Sequence, residues 1–128
     1  MICGFHHVAM RVSDLDAAVR FYTEVLGLKL KRCWGEGAKR GVMIDVGRDS
    51  YIEIFADGPE GERPDGHWVH IALACSDTAS AIERVRAAGF PVTMESKDIS
   101  IPSQPPLPAR IAFFKGPAGE VVEFFEER

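Results

Sequence analysis

Short runs of alternating apolar and polar residues recur along this chain, and they read as strands because a strand sends successive side chains to opposite faces. FHHVAM, LKLKRCW, VMIDVG, YIEIF, WVHIALACSD, IAFF and GEVVEFFEE are such runs. Four of them share one arrangement. His7 lies on the side of Phe5, Ala9 and Arg11, with His6, Val8, Met10 and Val12 behind; Glu53 lies between Tyr51 and Phe55, with Ile52 and Ile54 behind. His70 shares a face with Trp68, Ala72 and Ala74, against Val69, Ile71, Leu73 and Cys75. Glu123 stands with Val121 and Phe125, against Val122 and Phe124. Each strand turns an aliphatic back to a core and presents one imidazole or carboxylate in front. We read this as a metal site of two histidines and two carboxylates lining a cavity between curved sheets.

Two segments keep a helical period instead. In LDAAVRFYTEVLG the stripe is Leu15, Ala18, Val19, Tyr22, Val25 and Leu26, with Asp14 placed to cap the helix and Gly27 to end it. In TASAIERVRAAG the stripe is Ala81, Ile82, Val85 and Ala88, just after Ser76-Asp77. The order strand, helix, three strands thus occurs twice, on either side of the Gly- and Pro-rich ADGPEGERPDGH. His7 to His70 and Asp14 to Asp77 are both separated by 63 residues, and Gly27 to Gly89 by 62. The expected fold class is α+β, with two βαβββ modules in tandem. We expect a single domain over 1–128, with module one at 1–57, a linker at 58–66 and module two at 67–128. A duplication of this kind brings equivalent residues of both halves toward a pseudo-twofold axis.

Glu53 and Glu123 are 70 residues apart, so the second half has gained residues after its helix. They fall in SKDISIPSQPPLPAR, the stretch from Ser96 to Arg110, expected to be a loop. Its four prolines read either as a stiff surface connection or as a lid or wall over the site.

The chain has 128 residues and 46% apolar content, enough to bury one domain's core. Its net charge of −4, without a dense basic run, argues against nucleic acid or an anionic membrane surface as a partner. No signal peptide or membrane span is evident, and the expected location is the cytoplasm. Cys3, Cys33 and Cys75 are odd in number and widely spaced, as expected of reduced thiols, and Cys75 reads as a packed small hydrophobe.

HHVAM with Asp14 and a helix ending in GL, HIALACSD with a helix ending in AGF, and FFKGPAGEVVEFFE together resemble the vicinal oxygen chelate superfamily. That group includes glyoxalase I, methylmalonyl-CoA epimerase, fosfomycin-resistance thiol transferases, extradiol dioxygenases and metal-free bleomycin-resistance proteins. The resemblance implies curled mixed sheets around a U-shaped metal cleft, with the helices on the outer faces. It places the metal ligands on His7, Glu53, His70 and Glu123, an order most like glyoxalase I. It also implies a homodimer, with the site built either within one chain or across the two subunits. The chain departs from glyoxalase I in having ADGPEGERPDG after the second ligand, and it lacks a convincing basic set for the two carboxylates of glutathione.

Mixed nitrogen and oxygen donors suit a borderline divalent ion: Zn²⁺ or Ni²⁺ first, with Co²⁺, Mn²⁺ and Fe²⁺ compatible. Such an ion would act as a Lewis acid on a small α-oxo or α-hydroxy substrate or its thiol adduct. Glu123 or Glu53 is then the expected proton shuttle. Arg11 faces the cleft by strand parity, and Tyr51, Phe55, Trp68 and Phe125 are expected either to wall it or to belong to the core. His6 falls on the helix-facing side and reads as structural or as a support to a ligand. The plain alternative is that a lone strand histidine is hydrogen-bonded structure and a lone strand-end glutamate is solvated. Against it, all four groups face away from the aliphatic side and are related by the repeat. The leading expectation is a glyoxalase I-type lyase or isomerase. The alternatives are an epimerase, a thiol transferase or a dioxygenase, or a resistance-type protein that binds a small ligand without turning it over.

Overall fold

The computed structural model describes residues 6–62, 70–102 and 105–128. The chain forms two compact units, Met1–Gly61 and Glu62–Arg128, each with the order strand, helix, three strands.

In the first unit, β1 (His7–Arg11) leads to α1 (Leu15–Arg20), which continues as a π-helical turn (Phe21–Val25). Next come β2 (Lys29–Trp34), a 3-10 turn (Gly37–Lys39), β3 (Gly41–Gly47) and β4 (Ser50–Phe55). The sheet order is β1-β4-β3-β2, with β1 parallel to β4 and the other pairs antiparallel. Asp14 caps α1 by accepting from the Ala17 amide at 2.9 Å, as its place before the apolar stripe predicts. Gly27 takes φ 74°, a left-handed conformation that suits a residue without a Cβ after a helix end. Arg48 and Asp49 both have positive φ and form the tight two-residue link of the β3/β4 hairpin, at the predicted RDS turn.

The helix is not regular throughout. The Leu26 amide donates to the Phe21 carbonyl five residues back, and this widened turn buries Phe21 beside Tyr22. The core of the unit comprises Val8, Val12, Leu15, Ala18, Phe21, Tyr22, Val42, Ile44, Ile52 and Ile54. Each large aliphatic side chain removed from water in this way contributes about 1.5–3 kcal/mol before conformational entropy is charged. β2 differs from the expected half-exposed strand. All its residues are exposed, Leu30 and Trp34 included, and at the sheet edge it has β3 alone as a ladder partner.

The second unit repeats this plan with β5 (Ile71–Ala74), α2 (Thr78–Ala87), β6 (Val92–Ile101), β7 (Leu107–Lys115) and β8 (Val121–Glu127). Its order, β5-β8-β7-β6, has β5 parallel to β8. Asp77 caps α2 through the Ser80 amide at 3.0 Å and hydroxyl at 2.7 Å. The buried side of α2 consists of Thr78, Ile82 and Val85. Ala81 is half-buried and Ala88 exposed, so the stripe lies one turn nearer the N-terminus than expected.

The stretch 96–110 is not a loop. β6 runs on to Ile101 and β7 begins at Leu107, in a ladder that carries Asp98 opposite Arg110 and Ser100 opposite Pro108. Pro102, Pro105 and Pro106 fall between the strands, where no ladder donor is required, and the Pro108 carbonyl accepts from the Arg128 amide. The proline count points to a loop, while the alternation in KDISI carries the hairpin. No helix among the described residues is long and apolar enough to cross a membrane. Cys33 is a free exposed thiol and Cys75 a free, half-buried one; Cys3 lies outside the described residues.

Candidate functional site

The strand ladders explain how each unit brings its histidine to its glutamate. On parallel strands β1 and β4, Ala9 lies opposite Glu53 and His7 opposite Tyr51, which makes His7 the diagonal neighbour of Glu53. In the second unit Ala72 lies opposite Glu123, and His70 immediately precedes β5. A methyl group opposite each carboxylate leaves room for the diagonal imidazole to lean over it. His7 Nε2 lies 3.8 Å from Glu53 Oε1, and His70 Nε2 lies 2.8 Å from Glu123 Oε2. The second contact is a hydrogen bond, in which the imidazole N–H donates to the carboxylate; the first is too long to be one.

Burial separates the two carboxylates. Glu123 is 6% exposed, whereas Glu53 is half-buried. Burial pushes the Glu123 carboxyl above the usual carboxylate range, and His70 opposes the shift by charge and hydrogen bonding. A desolvated carboxylate of this kind is a favourable ligand for a cation. Each unit supplies one imidazole nitrogen and one carboxylate, a donor set that fits a borderline divalent ion. Within neither unit, among the described residues, do three or more His, Cys, Asp or Glu side chains converge, so each unit offers two donors.

Arg11, expected to face the cleft, forms an ion pair with Asp57, and its guanidinium lies 5.5 Å from the centroid of the Phe55 ring. Tyr51 and Phe55 are half-buried on the face of Glu53, and Phe125 is half-buried on the face of Glu123. Trp68 lies outside the described residues. Three further residues share these faces. Met43 is the cross-strand partner of Glu53, and Phe113 that of Glu123, with the Phe113 ring edge-on to His70 at 5.2 Å between centroids. Trp34, 39% exposed, lies over Gly41 and meets Phe55 edge-on. The parity of IAFF and VMIDVG carries the signal for Phe113 and Met43, whereas Trp34 requires knowledge of which strand pairs with β3.

His6 departs from its expected side. It precedes the first ladder residue of β1, and its ring contacts the rings of His7 and Tyr51 on the Glu53 face. Its Nδ1 is 2.9 Å from His7 Nδ1.

A duplicated βαβββ unit with a histidine and a glutamate at corresponding places in each copy defines a class of small α+β proteins. The chain belongs to the Glyoxalase/Bleomycin resistance protein/Dioxygenase superfamily, whose family model it matches over residues 4–124. It is 32% identical to the lactoylglutathione lyase of Salmonella typhimurium over 128 residues, covering 95% of this chain and 91% of that one. Among solved structures it resembles the trypanothione-dependent glyoxalase I of Leishmania major, with a TM-score of 0.76 and 25% identity over 98% of this chain and 87% of that one. The fold also matches TnmS3, an antibiotic binding protein from Streptomyces sp. CB03234, with a TM-score of 0.74 and 22% identity over 99% and 98% of the two chains.

Proposed function

We propose that this chain is a metal-dependent lyase or isomerase of the glyoxalase I type, acting by proton abstraction on a small α-oxo or α-hydroxy compound or its thiol adduct. The observation that carries this reading is the repeat-related pairing of His7 with Glu53 and His70 with Glu123, each on the face opposite the buried aliphatic side. In this reading the four side chains hold one Zn²⁺ or Ni²⁺ ion, and the working form is a homodimer. When bound, the ion supplies Lewis acidity toward the substrate carbonyl.

The protein's own groups divide the remaining work. Glu123, buried and hydrogen-bonded to His70, carries the proton, because a general base works within hydrogen-bond reach of a group that can pass the proton on. Glu53, closer to solvent and without a hydrogen bond to His7, serves as a steady ligand. Phe113 and Phe125 exclude water around Glu123, while Arg11 and Phe55 meet the polar and apolar ends of the substrate.

The test is elemental analysis of the purified protein, then turnover of the methylglyoxal–glutathione adduct after loading with Zn²⁺ or Ni²⁺. Stoichiometric metal and turnover that both disappear in His70→Ala and Glu123→Gln are expected. A protein that stays metal-free after loading would overturn the reading.

A further inference from the structure

Strict alternation in LKLKRCW would set Lys29, Lys31 and Cys33 on one face of β2, and Leu30, Arg32 and Trp34 on the other. The ladder with β3 departs from this. Lys29 pairs with Asp45 and Leu30 with Ile44, but the next pairs are Arg32 with Met43, Cys33 with Val42 and Trp34 with Gly41. Lys31 has no partner in the ladder: it is the extra residue of a β-bulge, and beyond it the strand presents its other side. Directly paired residues share a face of a pleated sheet, and Met43 pairs in turn with Glu53. Arg32, Met43, Glu53 and Ala9 therefore form one row across the four strands, on the face that holds the carboxylate. Trp34 has the parity of Arg32, and its ring lies over Gly41 and meets Phe55, two residues from Glu53 on that same face.

The bulge thus brings a guanidinium to the Glu53 side, and its surroundings leave the charge for a ligand. On this face Arg11 is paired with Asp57, and Lys29 lies opposite Asp45. Arg32 is exposed and lies opposite Met43, and no ion pair joins it to an acidic side chain among the described residues. The corresponding row of the second unit runs Met94, Phe113, Glu123, Ala72 and has no charge at its outer end. Two interstrand steps of about 4.8 Å separate the Arg32 and Glu53 backbones, about 10 Å in all. An acid group bonded directly to a reacting carbonyl does not span that gap, whereas one on a flexible arm does.

We infer that Arg32 is a specificity-determining residue: its guanidinium binds a carboxylate that the substrate carries on the thiol side of the adduct, away from the reacting carbons. The inference rests on the glyoxalase I-type reading and adds to it the residue that discriminates acidic from neutral substrates.

Calorimetric titration of the metal-free protein with S-methylglutathione and with its diethyl ester tests the assignment without turnover. The wild type should bind the acid about 10-fold more tightly than the ester, the effect of one charge-assisted hydrogen bond. Arg32→Met, which introduces the residue found at the outer end of the second row, should bind both alike. Arg32→Lys should keep part of the preference, and Lys31→Met, which removes an equal charge from the bulge, should keep all of it. In the metal-loaded protein, Arg32→Met should raise KM about 10-fold for the methylglyoxal adduct of glutathione, with kcat and the adduct of the diethyl ester unchanged. Equal affinity for acid and ester in the wild type, a preference that survives Arg32→Met, or the same loss in Lys31→Met overturns the inference. An Arg32-dependent preference in a protein that turns over neither adduct overturns the glyoxalase I-type reading and leaves the carboxylate site standing.

Discussion

His70 and Glu123 form a hydrogen-bonded pair at 2.8 Å around a carboxylate that is almost entirely removed from water, whereas His7 and Glu53 stand 3.8 Å apart beside solvent. The buried member carries the electrostatic cost. Because its folded-state pKa lies above its ordinary value of 4.5, the folded protein holds that proton more tightly than the unfolded chain does. Stability contributed by this group is present at low pH and declines as pH rises from about that ordinary value through the raised one.

Glu123→Gln removes that decline and keeps an oxygen to accept from His70. The metal-free variant should melt at or above the wild-type temperature at pH 7, and Zn²⁺ should no longer raise its Tm. Thermal melts between pH 4 and 8, with and without Zn²⁺, test both halves. A variant that melts well below the metal-free wild type at pH 7 would contradict the burial account.

The alanines opposite the glutamates hold the space in which the histidines lean. Ala72→Leu fills it in the second unit and Ala9→Leu in the first. Both positions are exposed, so stability should change by about 0.5 kcal/mol or less. Zn²⁺ affinity, measured by competition with a chelator, should fall about 10–100-fold, because each substitution disturbs the orientation of a histidine proposed as a ligand.

Glu126 lies on the opposite face of β8, buried, where its carboxylate accepts from the Thr78 amide at the start of α2 at 3.0 Å and from Arg128 at 2.6 Å. The bond from the Thr78 amide, with the Arg128 charge adding to it, holds this carboxyl below its ordinary value of 4.5. Its contribution is therefore complete above that value and is lost as pH falls through the depressed one. Glu126→Gln should flatten the acid limb of the Tm profile below about pH 4.5 and leave Zn²⁺ binding unchanged. A wild-type acid limb surviving in the variant would sink this assignment.

A Cβ at Gly58 would sit closer than 3.0 Å to the backbone of Arg11 and Val12, while the nearest atoms to one at Gly41 belong to the Trp34 indole. Backbone yields less readily than a half-exposed ring. Gly58→Ala should cost about 1–3 kcal/mol by thermal or urea unfolding. Gly41→Ala should cost less and instead shift the fluorescence of Trp34 as its ring is displaced from beside Phe55.

The alternation in FHHVAM, YIEIF and GEVVEFFEE exposes which side of each strand is buried, because half-buried strands write their environment into every second residue. Equal offsets between Asp14 and Asp77 and between His7 and His70 reveal the repeat. The features that stay hidden depend on neighbours. The His6 ring leaves its predicted face to meet His7 and Tyr51, Trp34 is linked to Phe55 through Gly41, and the hairpin around Pro102 is masked by prolines that lie between its strands. Glu126 looks like one more terminal charge, and its burial depends on α2 starting directly above it.

The π-helical turn at Phe21–Val25 records a difference in length between the duplicated halves. Asp14 and Gly27 are one residue further apart than Asp77 and Gly89, and a wider turn absorbs a single extra residue without shifting the strands beyond it. In the second half the surplus residues are taken up by the long β6/β7 hairpin. Ala9 still faces Glu53, and Ala72 still faces Glu123. Each half has accommodated its insertions where they leave the register of its first and last strands untouched.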